Sequence, residues 1–166
     1  MNERRVVVTG CGVLSCVGNN VNEFWDSLVN GRCGLGQITR FDTSAYRTHI
    51  AGEIKDFDIT RYMSAKEAHR MDLYTQYAMA AADEALRNAG LYVEPGEKRP
   101  DGDRFGAIVP SGIGGLGTLE REHETLLNRG PRRGSPFLIP MMIGDIASGN
   151  LAIRYDLRGP NMGLAT

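Results

Sequence analysis

A chain of 166 residues can bury a sizeable core without a disulfide or metal staple, and one domain is its default organisation. Its 19 Lys and Arg against 20 Asp and Glu leave a net charge of -1, which excludes a global basic field for nucleic acid and an acidic disordered tail. Glycine is the anomaly, with 21 residues where average usage is about 7%.

The opening carries Val6-Val7-Val8 and ends on Gly10, which predicts a strand over residues 4–9 buried on both faces, and hence an α/β sheet. The basic start, the short apolar run and Cys11 or Cys16 imitate a lipoprotein signal, but Thr9, Gly10 and Gly12 break the run that such a signal needs. The longest uncharged stretch, Val6 to Asn22, is too rich in Gly and Asn to cross a membrane. Phe24, Trp25, Leu28 and Val29 at helical spacing predict a helix over 22–30, with Trp25 in the core and Gly31 as the stop. Cys11, Cys16 and Cys33 are odd in number and form no CxxC pair. That removes a disulfide framework and the usual zinc motifs, and points to a reducing cytoplasm.

A long helix is predicted over 64–89, where Met71, Tyr74, Ala78, Ala82, Ala85, Leu86 and Ala89 share a face and Gly90 is the cap. The alanines on that face imply close packing against another element. Residues 91–103, with Pro95, Gly96, Pro100 and Gly102 among charges, read as a surface loop and not as a domain linker. A second strand over 105–110, the cluster Gly112, Gly114, Gly115 and Gly117, and a helix over 118–128 make half of a βαβ unit. A Pro/Gly-punctuated loop over 130–140 leads to a further helix over 141–155. The end, 159–166, reads as a buried strand.

Three features carry chemistry on their face. Gly112-Ile113-Gly114-Gly115-Leu116-Gly117 fits GxGxxG between strand and helix, the setting of a dinucleotide-binding turn. The acidic ribose ligand expected about twenty residues on is missing, and Arg132-Arg133 stands there instead. The competing reading is that these glycines only let backbone and helix pack closely. His49, His69 and His123 do not cluster, and His123 sits among Glu120, Glu122 and Glu124 on a solvated helix face without zinc spacing. Cys11 has no base near it in sequence, which favours a buried structural thiol over a nucleophile.

Several longer motifs converge on one family: Arg5-Val-Val-Val-Thr-Gly-Cys-Gly-Val-Leu-Ser, Phe41-Asp-Thr-Ser-Ala-Tyr, Arg70-Met-Asp, Ser111-Gly-Ile-Gly-Gly-Leu, Gly130-Pro-Arg, Ser135-Pro-Phe and Leu157-Arg-Gly-Pro-Asn. Together, in order and over the whole chain, they resemble the beta-ketoacyl-acyl-carrier-protein synthase II type of condensing enzyme. The resemblance implies an α/β, thiolase-like fold: a mixed five-stranded sheet with helices, forming the N-terminal half of a five-layered αβαβα arrangement. Residues 1–166 would be that half, ending just before the nucleophilic cysteine of an Ala-Thr-Ala-Cys segment. The two histidines and the lysine of the family's catalytic set would also lie further on, so no catalytic residue is assigned here.

The activity implied is decarboxylative Claisen condensation of malonyl-carrier protein with an acyl-carrier protein in fatty acid elongation, by a cytoplasmic homodimer without cofactor or metal. By the resemblance, Ile113 matches the gate of the acyl channel, and Leu138 and Ile139 match positions reaching into the partner subunit's pocket. Leu138 departs from the Phe usual there, which bears on chain-length preference. Lys66, Arg70, Arg132 and Arg133 would dock the acidic carrier protein, with His69 where a basic residue is usual. The alternatives are a non-catalytic chain-length-factor subunit of a polyketide system and, from the glycine motif alone, a nucleotide-dependent oxidoreductase.

Overall fold

A computed structural model of the chain describes residues 4–165. Part of the basic opening and Thr166 therefore lie outside the described residues. Two compact units are formed, the first from residues up to Asp58 with Ala81–Leu91, the second from Ile59–Ala80 with the residues from Tyr92 on.

In the first unit, α1 (Val21–Val29) starts at Asn20, whose Oδ1 accepts the Glu23 N–H at 2.9 Å, and stops at Gly31, whose φ of +62° suits only glycine. The helix buries Ser27, which donates to the Val17 carbonyl at 2.6 Å. Trp25, expected in the core, lies off that face and is 65% exposed. A short hairpin follows, β1 (Leu35–Gln37) antiparallel to β2 (Ile50–Gly52), with Leu35 opposite Gly52.

Residues 4–9 form no strand, and Val6 is 95% exposed. A strand is made by hydrogen bonds to a neighbour, and among the described residues nothing pairs with this segment. Its continuation lies instead along the helix residues Ala81–Ala89. A Cβ on Gly10 would fall 2.8 Å from the Ala89 methyl, and one on Gly12 would overlap the Ala81 carbonyl oxygen. The alanine face thus serves close packing, as its composition implies. Since Gly10 and Gly12 both face the helix, Cys11 between them points away. It is exposed, not buried as expected, although its N–H donates to Asn88 Oδ1 at 3.1 Å. Glu84 locks the same packing, with Oε2 accepting the Val13 N–H at 2.9 Å and Oε1 the Val21 N–H at 2.8 Å.

Residues Ile59–Ala80 open the second unit, and the single helix expected over 64–89, whose later part belongs to the first unit, is two. Ser64 and Glu67 form a capping box around α2 (Ala65–Ala68), and α3 (Leu73–Asn88) starts afresh at Asp72, whose Oδ1 accepts the Tyr74 N–H at 3.3 Å. An aspartate that turns back to cap a helix interrupts the one before it. The chain then runs through β3 (Ala107–Pro110), α4 (Leu116–Arg129), α5 (Leu138–Met142), α6 (Ile146–Tyr155) and β4 (Asn161–Leu164). The strands β3 and β4 pair in parallel, Ala107 opposite Asn161, so the helices between them form the crossover that a parallel pair requires. The last segment is a strand as expected but not a buried one: with β3 as its only neighbour among the described residues, β4 leaves Met162 and Leu164 exposed. The helix expected over 141–155 is broken at Ile143, whose ψ of 140° is extended. Met63, Met79, Met141, Leu151 and Tyr155 are buried in this unit.

The mixed five-stranded sheet expected from the resemblance is not formed among the described residues, which hold only these two two-stranded sheets. The strand expected over 4–9 has no partner, and β1 and β2 pair only with each other. The loop over 91–103 is not all surface. Arg99 is 2% exposed, with its guanidinium 4.3 Å from the Phe105 ring centroid and its Nε donating to the Tyr155 carbonyl at 3.3 Å. Asp156, left-handed at φ +52°, ends α6 and accepts the Arg99 N–H at 2.8 Å. Its hydrogen bond to Arg158 holds the carboxyl below the ordinary aspartate range.

Two measurements test this packing. Gly12→Ala forces a methyl into the Ala81 carbonyl and is expected to destabilise the fold by about 1–3 kcal/mol in denaturant unfolding, whereas unchanged stability would mean the segment does not rest there. The second concerns pH. Hydrogen bonds from Ser64, first its hydroxyl and then its N–H, hold the Glu67 carboxyl below its ordinary 4.5. A carboxyl lowered in the fold contributes stability above its ordinary value and loses it as the pH falls through the lowered one. Amide-exchange protection of α2 should therefore fall on acidification below about pH 4.5 and show no such step in Glu67→Gln. The same step in both proteins would remove the capping box from the explanation.

Candidate functional site

The turn between β3 and α4 is held by backbone contacts that only glycine permits. Gly114 adopts φ +84°, and its N–H donates to Ser111 Oγ at 2.9 Å. The Gly115 N–H donates to the Met142 carbonyl at 2.8 Å. A Cβ on Gly114 would lie 3.0 Å from the Gly144 Cα, and one on Gly115 would overlap the Met141 carbonyl oxygen. The glycine cluster therefore seats the end of α5 against the start of α4. Ile113 stands on the crest of this turn, 69% exposed.

Below the turn lies a buried carboxylate. Asp72 is 9% exposed, and its Oδ2 accepts the Thr118 N–H at 2.8 Å and the Thr118 hydroxyl at 2.6 Å. Thr118 is the third residue of α4, so Asp72 caps α4 from a distance with one oxygen and α3 directly with the other. Arg121 Nη2 donates to the Thr118 hydroxyl oxygen at 3.2 Å, which extends the network along α4. The neighbouring Tyr74 hydroxyl donates to the Ile143 carbonyl at 2.6 Å, tying α3 to the residue after α5, and burial pushes its phenol up in pKa. Asp72 ends the Arg70-Met-Asp motif, but no role was expected of it. An aspartate directly before an apolar, helix-spaced run was the signal available.

Leu138 and Ile139 open α5, the first half-buried and the second exposed. They share this short helix with Met141 and Met142, against which the glycine turn packs, so the structure brings the three expected pocket positions to one neighbourhood. Arg70 joins them, its guanidinium 5.2 Å from the centroid of Phe137 next to α5. Lys66 is exposed on α2, four residues before Arg70. Arg132 and Arg133 are exposed on a 3-10 turn, Pro131–Arg133, that follows α4, where the Glu122 carboxylate accepts the Ser135 N–H at 2.8 Å and fixes the start of the next loop.

The dinucleotide reading fails on this geometry. A pyrophosphate needs the free N–H groups of the helix start, and at α4 the Thr118 N–H is already taken by the Asp72 carboxylate. The glycines are used for backbone contact with α5. An open polar pocket in the first unit is lined by Cys16, Cys33, Arg32 and Lys55 among others, and none of the expected site residues faces it. There Cys16 Sγ lies 2.9 Å from the Cβ that Gly52 lacks.

The beta-ketoacyl synthase N-terminal domain matches residues 3–166. The chain is 45% identical over 166 residues to 3-oxoacyl-acyl-carrier-protein synthase 2 of Vibrio harveyi, covering 100% of this chain and 39% of that protein. It is 46% identical over 158 residues to the protein of the same name from Staphylococcus aureus strain COL, covering 95% and 37%. Among solved structures, the ishigamide ketosynthase/chain length factor superposes with a TM-score of 0.80 at 30% identity, covering 98% of this chain and 40% of that one. A beta-ketoacyl synthase from Burkholderia phymatum STM815 gives 0.77 at 23% identity, covering 99% and 39%, and bears on the fold alone. The chain thus spans about two fifths of the length of these relatives. The thiolase-like α/β fold expected from the motifs is the fold of these neighbours. With a family match over nearly every residue and a glycine turn built for helix packing, the chain belongs to the beta-ketoacyl synthase family, as its N-terminal domain.

Proposed function

We propose that residues 1–166 are the N-terminal part of a longer, elongating 3-oxoacyl-acyl-carrier-protein synthase that works as a cytoplasmic homodimer. The observation that carries this reading is the 45% identity, over the whole chain, to a relative bearing that name. In the reaction a cysteine thiolate, supplied outside these residues, takes the acyl group from a carrier-protein thioester. Malonyl-carrier protein loses carbon dioxide, and the resulting carbanion attacks the acyl-enzyme carbonyl and expels the thiolate. Backbone N–H groups hold the oxyanion meanwhile.

This part supplies channel and docking surface. Ile113 on its crest gates the acyl channel, while Leu138 and the exposed Ile139 reach toward the partner subunit's pocket. Lys66, Arg70, Arg132 and Arg133 present cations to the acidic carrier protein. All four are exposed, as a docking role needs. The second reading, a chain-length-factor subunit without condensing activity, is favoured by the likeness to the ishigamide ketosynthase/chain length factor. Malonyl-dependent condensation by the purified full-length protein separates the two: activity supports the synthase, and its absence supports the subunit.

Two variants of that protein test the assignments. Ile113→Phe is expected to shift products to shorter acyl chains, since the larger ring overfills the channel at a cost of about 1–3 kcal/mol for long substrates. An unchanged product profile at normal stability would place the gate elsewhere. Reversing Arg132 and Arg133 to Glu is expected to raise KM for the acyl-carrier protein at low salt and to flatten its salt dependence, with little change in single-turnover rate. Lost turnover at unaltered KM would assign the loop to shaping the pocket.

A further inference from the structure

Among the described residues, Ile113 makes no hydrogen bond that fixes its own place. It rides on a turn whose position is set elsewhere, by Gly114 on Ser111 Oγ at 2.9 Å, by Gly115 on the Met142 carbonyl at 2.8 Å, and by the first turn of α4 on Asp72. Of these anchors, only Asp72 reaches the turn from another helix by a side chain. It is buried, so its charge must be met by donors, and those facing it are the N–H and hydroxyl of Thr118 and the N–H of Tyr74. The Asp72 Cβ lies 3.1 Å from where a side chain on Gly115 would begin, directly under the turn. One carboxylate thus sets the spacing between the start of α3 and the turn that carries Ile113.

We propose that Asp72 is a positioning residue for the acyl-chain gate: its carboxylate, shared between the starts of α3 and α4, holds the Ile113 turn at the height that decides which acyl chains pass. The inference rests on the reading of Ile113 as the gate. Without the carboxylate, the buried Thr118 N–H and hydroxyl lose their acceptor, and the first turn of α4 shifts or frays with the residues joined to it. A loosened gate discriminates less between chain lengths.

The test is the ratio of kcat/KM for a long and a short acyl-carrier-protein substrate, measured on the full-length enzyme. Asp72→Ala should bring this ratio about tenfold closer to one, the scale of a lost helix cap. Asp72→Asn, whose amide oxygen can still face Thr118, should stay within about twofold of the parent. In an Ile113→Ala background, the Asp72→Ala change should vanish, because the gate it positions is gone. An unchanged ratio in folded, active Asp72→Ala would overturn the proposal, and so would a shift that survives in Ile113→Ala. If Ile113→Ala alone leaves the ratio at the parent value, the gate reading itself falls and takes this inference with it. Should Asp72→Ala not fold, Thr118→Val removes one of the three hydrogen bonds. It must then show a smaller shift in the same direction, again absent with Ile113→Ala, for the proposal to stand.

Discussion

The carboxylate of Asp72, buried between two helix starts, is the constraint on which the second unit's functional neighbourhood depends. One oxygen serves α3 and the other α4, so the two helices cannot slide independently without exposing a charge to an apolar interior. From that fixed point the rest follows: α4 sets the glycine turn, and the turn seats the Met141–Met142 end of α5. Since α5 begins with Leu138 and Ile139, their positions are tied to the same point.

The first unit uses the same chemistry in another place. Glu84 divides its two oxygens between the N–H groups of Val13 and Val21, holding an extended segment and the start of α1 to one helix. A carboxylate suits this work because it offers several acceptor sites and no donor, so one side chain can satisfy orphan N–H groups of two segments. The small residues nearby serve a different end. Gly10 and Gly12 against Ala85 and Ala89, like Gly115 against Met141, let backbones approach to distances that any side chain would prevent.

Much of this was legible in the sequence. The glycine cluster between strand and helix, the stop at Gly31 and the alanine face of the long helix all follow from residue type and spacing. The helix breaks did not. Met71 and Tyr74 keep helical spacing straight through Asp72, so periodicity reads continuous where a side chain has turned back to cap. The strand over 4–9 was read from apolarity, but pairing depends on a neighbour that sequence does not display. The hairpin of β1 and β2 was missed because three residues a side are too few for a pattern. Arg99 was placed in a surface loop because charge predicts exposure, and only the Phe105 ring and the Tyr155 carbonyl make its burial tolerable. The site residues came from whole motifs, whereas Asp72 acts through geometry that no motif spells out.

The donors that satisfy Asp72 also make it a means of rejecting errors. Thr118 lies 46 residues further along the chain, so the carboxylate finds its partners only when a distant helix arrives in the right register. A collapsed state in which α4 docks one turn out of place leaves the charge buried and unanswered, at a cost of about 3 kcal/mol. Apolar packing alone tolerates such slips, since one leucine against a methionine is much like another. The carboxylate does not, and it thereby turns a permissive hydrophobic contact into a single accepted alignment.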